Sequence, residues 1–459
     1  MPLKSWQTRS FLIELKPRSE FASLFVDCPP ADNDEAAYYN NQQIQDETTE
    51  NKETVERKEM IHFREHSIEV SSIIQQREDG AAEMLPSYWA KFGDLTLYPN
   101  SVCALTWADN HRLFMCKVRV IVGKCPLVPK TFHQLAVGVL SGMLLDEYIE
   151  NAETLPVQAE CSGCSATLLN YSEDSLKLQS LPEDGWLNTS PSMEYFCRDT
   201  CGAVSHSHAH HGAHSSDLIC AEDAQKQWLP NEQRIVISDS YFLVLKKMII
   251  SNAVTVDESN VVLCAKCSVE IGIILKKNTD IIQFHHVMCN LLVTNSRETY
   301  INTRFGTLEH FFAWMLLYQC ESQTSGKLVL RSYDKRPYLL VTYVFVIFIF
   351  LIWLLDSYVV ISQGELAENE GEEKLIYSFP ALKMLYKIFD AESAKTDPRA
   401  NGEDASVGIL DIPLTCCIKL TEMLLESSLA LPPTGRSVGQ FYVRFNVTYK
   451  CVINLRKSK

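Results

Sequence analysis

Cys161-Ser-Gly-Cys164 opens the central third of the chain, and Cys264-Ala-Lys-Cys267 closes it. A Cys-X-X-Cys turn presents two thiolates to one ion at about 2.3 Å, and two such turns complete the tetrahedral four-thiolate geometry of a structural zinc site. Each turn sits between extended stretches: Leu155–Glu160 and Ser165–Leu169 around the first, Asn260–Leu263 and Ser268–Leu275 around the second. The spacing therefore predicts one structural zinc shared by Cys161, Cys164, Cys264 and Cys267. Two other readings stay open: some of the four are buried thiols, or one pair joins Cys197 or a histidine. No βαβ pattern follows either turn, which argues against a thioredoxin-like redox pair.

The 459 residues carry a formal net charge of −15, and 46% are hydrophobic. That apolar content is enough to bury real cores. The acidic balance disfavours binding to bare nucleic acid through counterion release and suits partners with basic faces. Sixteen cysteines would serve a disulfide framework in a secreted chain, but Met1–Lys16 lacks an apolar core followed by a cleavage site. The paired thiol turns then point to a reducing, zinc-supplied compartment, cytoplasmic or nuclear.

The expected fold is α+β, mainly antiparallel β with the zinc knuckles at its centre and a few amphipathic helices. Three units are expected: 1–156, β-rich; 157–290, holding the knuckles; and 291–459, α+β. Ser10–Leu15 and Phe21–Val26 read as strands. Pro29–Glu59 is acidic and polar and reads as a solvated loop. Ile68–Ile74 and Leu95–Leu97 read as further strands, and Ser101–Trp107 pairs with Leu113–Val122 across Asp109-Asn110 as a β-hairpin. Thr131–Glu150 has a helical stripe explained by packing alone. Cys197, Cys201 and Cys220 lie in the central loop with His206, His208, His210, His211 and His214, a run whose composition suits a solvated loop. Ile235–Leu245, Ile281–Val293, Lys327–Ser332 and Gln440–Phe445 read as strands. Thr307–Cys320, Tyr377–Phe389 and Ile412–Leu431 read as helices, with Asp390–Ser406 a polar linker and Gly364–Lys374 an acidic loop.

Tyr338–Leu355 is apolar apart from Thr342 and the tyrosine hydroxyls, and it is long enough for a spanning helix held by Arg331, Lys335 and Arg336. Its richness in Val, Ile, Phe and Tyr, running on into Tyr358-Val-Val-Ile361, favours a buried core strand. That strand carries an apolar insertion at Val341–Leu351, which would suit an error in the gene model.

In order along the chain come Cys161-Ser-Gly-Cys164, Leu181-Pro182, Trp186, Tyr195-Phe-Cys197, Asp239-Ser-Tyr-Phe-Leu-Val244, Cys264-Ala-Lys-Cys267 and Gly272. Trp353-Leu-Leu-Asp-Ser357, Cys417 with Leu420 and Leu424, and Leu431-Pro432 follow. This series resembles the HECT-like E3 ubiquitin-protein ligases that bind a cyclin-directed ubiquitin-conjugating enzyme. It does not cover Pro29–Glu59, Thr131–Glu150 or Val341–Leu351.

The resemblance implies that the chain takes ubiquitin as a thioester from the conjugating enzyme and passes it to substrate lysines, with cyclin-like substrates. It places the nucleophile at Cys197. The family has histidine directly after that cysteine; here Arg198 stands instead, a fixed cation that can stabilise a thiolate but cannot exchange a proton. Ligation of a metal by Cys197 and Cys201 is the competing reading. Cys417 is the rival nucleophile, since Thr415-Cys-Cys417 is similar to the C-terminal Thr-Cys of HECT enzymes, although its apolar helix suits a packed thiol. Three functions follow: a thioester-forming ligase, a zinc-stabilised scaffold recruiting the conjugating enzyme, and an adaptor tethered to a membrane through 338–355. The eight ligands of a cross-braced RING are absent, as are phosphate-binding loops, Ser-His-Asp signatures and paired-carboxylate motifs.

Overall fold

The structure is a computed structural model that describes residues 9–28, 56–75, 82–125, 154–181, 228–293, 298–332 and 349–447, short gaps apart, with 131, 134–136, 338–339 and 345–346. The chain begins with a hairpin of β1 (Ser10–Leu15) and β2 (Phe21–Asp27). β3 (Glu56–Arg64), β4 (Ser67–Gln75), β5 (Ala82–Met84) and β6 (Tyr88–Phe92) form a small sheet, which Leu375–Ile376 from far along the chain completes by pairing in parallel with β6. β3 therefore takes the last four residues of the stretch expected to be loop; residues 29–55 lie outside the described residues. The predicted hairpin is present as β7 (Leu95–Ala108) and β8 (Leu113–Val122), and β8 adds to β2. Of the helix expected at Thr131–Glu150, only Thr131 and 134–136 are described; 134–136 are helical, and the Thr131 hydroxyl accepts the Gln134 N–H at 3.2 Å.

The described residues of the central region are mostly strand: β9 (Thr154–Cys161), β10 (Thr167–Ser180), β11 (Arg234–Ile237), β12 (Tyr241–Leu245), β13 (Val254–Val256), β14 (Val261–Cys264), β15 (Glu270–Leu275), β16 (Asn278–His285) and β17 (Cys289–Val293). They make one sheet in the order β13-β14-β15-β16-β12-β11-β10-β9-β17, antiparallel except where β10 meets β11. Two strands expected to be continuous are hairpins. Ser238-Asp-Ser240 breaks the first, the Ser238 N–H donating to the Tyr241 carbonyl at 2.8 Å, because short polar side chains favour turns over ladders. His286-Val-Met288 breaks the second, between β16 and β17.

Two helices follow, α1 (Tyr300–Phe305) and α2 (Leu308–Ser322). Thr299 and Thr307 cap them, each hydroxyl accepting a backbone N–H three residues on. α2 was expected to be amphipathic, yet nine of its fifteen residues are buried. It lies between the two large sheets, with Phe311 edge-on to His285 of β16 at 6.0 Å on one side. On the other side it meets β18 (Lys327–Ser332) and, beyond β19 (Tyr338–Leu339), β20 (Phe345–Val346), β21 (Ile349–Glu365), β22 (Leu375–Ile376), β23 (Phe379–Phe389), α3 (Ser393–Thr396) and α4 (Pro398–Asn401), it also meets β24 (Gly408–Ile412). α5 (Leu414–Leu429), β25 (Ser437–Val438) and β26 (Phe441–Val447) complete the chain.

β21 organises the second large sheet, ordered β25-β26-β23-β21-β1-β2-β8-β7, with β18 and β24 also attached to it. Its first half pairs with β18 and its second half with β1, while β23 runs along the other side. The N-terminal hairpins and the C-terminal strands therefore share one ladder. Phe350 and Leu351 are fully buried with partners on both sides. The apolar run is thus a core strand from Ile349, and the expected insertion cannot extend to Leu351. Among the described residues no helix is long and apolar enough to cross a membrane.

Tyr377–Phe389 is not a helix. Leu382, Leu385 and Ile388 mimic helical spacing, but Ala381, Met384, Tyr386 and Phe389 are buried as well, and pairing with β21 and β26 outweighs local preference. The expected linker Asp390–Ser406 forms α3 and α4, which bury Ala394 and Ala400 against Val329, Leu351 and Phe389.

Candidate metal centre

The two Cys-X-X-Cys turns fold alike, because each sits at the end of a strand that must reverse into the next. Cys161 ends β9 and Cys264 ends β14. In the first turn the Ser165 N–H donates to the Cys161 carbonyl at 2.9 Å; in the second the Ser268 N–H donates to the Cys264 carbonyl at 2.8 Å. The Cys161 N–H returns to the Ala166 carbonyl and the Cys264 N–H to the Val269 carbonyl, both at 2.9 Å. Ser165 and Ser268 both take the left-handed conformation, with φ of 53° and 58°. Such a residue turns the chain back under its own sulfurs. Both sequences read Cys-X-X-Cys-Ser, so the matching serines were a signal available in the sequence and not used.

The turns meet face to face. Cys161 Sγ lies 3.6 Å from Cys267 Sγ, and Cys164 Sγ lies 3.6 Å from Cys264 Sγ. All four sulfurs fall within 4.8 Å of one another. A tetrahedron with arms of about 2.3 Å has edges of about 3.8 Å, so the four thiols fit one tetrahedral ion. β9 and β14 stand six places apart in their sheet, which would separate them by about 29 Å if the sheet were flat. The sheet therefore curls until its two turns touch, and the four cysteines sit where it closes.

The electrostatics suit a cation. Burial pushes the Cys161 thiol up to about 12, although the N–H groups of Gly163 and Cys164 point at its sulfur and favour the thiolate. The Ala166 N–H draws Cys164 below the ordinary thiol value, whereas burial raises Cys267. Backbone N–H groups aimed at sulfur prepare thiolates, but four negative sulfurs at this spacing repel one another without an ion among them.

Cys289 was missed. It faces Cys161 across the β9–β17 ladder and is fully buried, its thiol raised well above the usual range by burial. It stands behind the four ligands, and the Met288 carbonyl just before it accepts the Ser162 N–H at 3.0 Å. The β16–β17 turn thus braces the first knuckle. Glu270, three residues past the second knuckle, accepts the Leu414 N–H at 2.8 Å and so places a carboxylate at the start of α5.

Among the predicted nucleophiles, Cys197 lies outside the described residues, with Cys201, Cys220 and the histidine run. Cys417 is on the inner face of α5 with no exposed surface, and burial raises its thiol well above the usual range. Asp239 of the Asp-Ser-Tyr motif is structural: it accepts the Tyr300 hydroxyl at 3.2 Å and Arg304 Nε at 3.1 Å, tying α1 to the β11–β12 turn.

Fold and centre together define a mainly β protein whose curled sheet brings four cysteines into reach of one metal ion. Residues 148–443, more than half of the chain, match the family described as HECT-like ubiquitin-conjugating enzyme (E2)-binding, and the chain belongs to that family. Both knuckles, β21 and the whole of α5 fall inside the match. No curated protein and no solved structure matches the chain.

Proposed function

We propose that the chain is a ubiquitin-protein ligase that binds a charged conjugating enzyme, takes its ubiquitin onto Cys197 and delivers it to substrate lysines. The observation that carries this reading is the family match across both knuckles, which makes a ubiquitin-conjugating enzyme the partner. The Cys197 thiolate attacks the thioester carbonyl and expels the conjugating enzyme's cysteine thiolate. A lysine amine then attacks the new thioester, forming the isopeptide bond and freeing Cys197. The burial of Cys417 favours Cys197 as the acceptor. Cyclin-like substrates and a cytoplasmic or nuclear site of action belong to the same proposal.

The ion in the four-cysteine centre is zinc in this reading, since an all-thiolate tetrahedral set selects it. Its part is to cross-link the two turns and fix the curl of the sheet. It takes no part in transfer, because all four ligand positions are filled by protein sulfur.

One observation favours a second reading, the non-catalytic scaffold. Among the described cysteines outside the centre, Cys103 on β7 is exposed and the others are buried. A gel under non-reducing conditions separates the two. With a ubiquitin-charged conjugating enzyme, the ligase gives a reductant-sensitive ubiquitin adduct that disappears in Cys197→Ala while zinc content is unchanged. An adduct that survives in Cys197→Ala overturns the assignment of that cysteine; no adduct on the unaltered chain, with binding intact, leaves the scaffold.

A further inference from the structure

α5 has two unlike faces. Cys416, Cys417, Leu420, Leu424 and Ser428 are buried against the protein. On the opposite side Leu425 and Leu429 are 44% and 41% exposed, and half-buried Ile418 continues their row two turns before Leu425. Steps of seven and four residues put Ile418, Leu425 and Leu429 on one stripe. Exposed Glu422 and Glu426 lie along it, and neither forms an ion pair among the described residues. Ile418 packs partly against the main core, whereas Leu425 and Leu429 belong to none of the buried clusters, and two glutamates one turn apart repel.

The helix is tied at both ends. Glu270 holds the start of α5, and Arg436 holds its end by donating to the Leu429 and Leu431 carbonyls at 3.0 and 2.9 Å. Ser428 Oγ meets the Tyr386 hydroxyl at 3.3 Å, and the Tyr386 ring lies 5.4 Å from Tyr442, which is 49% exposed. Tyr442 adds an aromatic beside the C-terminal turn of the helix. A prepositioned apolar row flanked by acid groups suits a partner segment that is apolar and basic, and a rigid surface avoids an ordering cost on binding.

We infer that this outer face of α5, with Ile418, Leu425 and Leu429 at its centre and Glu422 and Glu426 at its rim, is the docking surface for the conjugating enzyme. The inference rests on the family's binding of such an enzyme, and the matched segment contains the whole helix. The chain's net charge of −15 adds a long-range attraction for a basic partner. Because Glu270 follows the second knuckle on β15, the metal centre fixes where this surface points.

The test uses the full chain and purified cyclin-directed conjugating enzyme in a biosensor, comparing the unaltered protein with Leu425→Asp/Leu429→Asp and with Glu422→Lys/Glu426→Lys. The expected result is a loss of affinity of at least about tenfold for the leucine pair. The glutamate pair should lose affinity at low salt and converge with the unaltered chain at high salt. Melting temperature and zinc content should stay unchanged in both. If the unaltered chain does not bind, the partner reading itself fails. If it binds and the leucine variant binds equally, the docking surface lies elsewhere. A leucine variant that melts several degrees lower shows that the chain itself covers the stripe. One that converts a dimer to a monomer with unchanged enzyme binding assigns the face to a second copy. Both outcomes overturn the inference.

Discussion

Four sulfurs brought within 4.8 Å of one another have no reason to stay there without a cation, so each cysteine ligand should matter alike. Cys264→Ser exchanges a soft thiolate for a hydroxyl that binds zinc weakly. Metal content by plasma emission should fall from one ion per chain to near none, with a loss of about 4 kcal/mol or more in resistance to denaturant. Two buried histidines at the turn between β16 and β17 give the protein a pH limit of their own. Burial pushes His285 and His286 down to about 3 from an ordinary value near 6.5. The unfolded chain binds these protons below about pH 6.5 and the folded chain does not, so stability is full above that pH and falls as pH drops toward about 3. At pH 5 each histidine accounts for about 2 kcal/mol. Melting curves between pH 7.5 and 5 should show that slope, and His285→Gln, which titrates in neither state, should remove about half of it, His286 keeping the rest.

β15 shows how tightly the second knuckle is built. A Cβ on Gly272 would lie 2.2 Å from the Gln283 carbonyl oxygen of β16, a backbone atom that cannot move without shifting the strand. Gly272→Ala should cost about 2 kcal/mol or more, read as a lower denaturant midpoint, and should weaken zinc retention through the displaced turn. Much of this region was legible from residues alone: both knuckles, their flanking strands and the β7–β8 hairpin follow from spacing and alternation. Three of the readings that failed show the physical reasons most clearly. β23 has helical spacing on one face and burial on the other, which only its neighbours β21 and β26 decide. Ser238-Asp-Ser240 looked like strand because its hydrophobic flanks hid a polar turn. α2 looked amphipathic because a helix enclosed by two sheets still carries a few polar residues. The link between Asp239 and α1 was not legible either, since Asp239 and Arg304 meet only in the fold. Asp239→Asn keeps the shape, weakens the charged contact with Arg304, and should lower stability by about 1–2 kcal/mol.

The described residues form two large sheets with α2 between them and two smaller sheets, and distant parts of the chain are joined: β1 pairs with β21, so that side of β1 stays open until residues near 360 are present. Contacts so distant in sequence make slow folding, and the proposed ion, by fastening two turns about a hundred residues apart, would shorten that search. On the proposed reading the same ion would fix β15 and, through the Glu270 contact with Leu414, the start of α5. Chelation should therefore be felt at a distance: hydrogen exchange should rise not only at Cys161–Ala166 and Cys264–Val269 but also at the first turn of α5, while β1–β2 stays protected. Native mass spectrometry of the purified full chain is the most direct measurement. One zinc ion per chain is expected, lost together with the folded charge-state distribution when any of Cys161, Cys164, Cys264 or Cys267 is replaced by serine. A folded chain carrying no metal, or one whose metal survives Cys161→Ser and Cys267→Ser together, would contradict a sheet held closed by four cysteines.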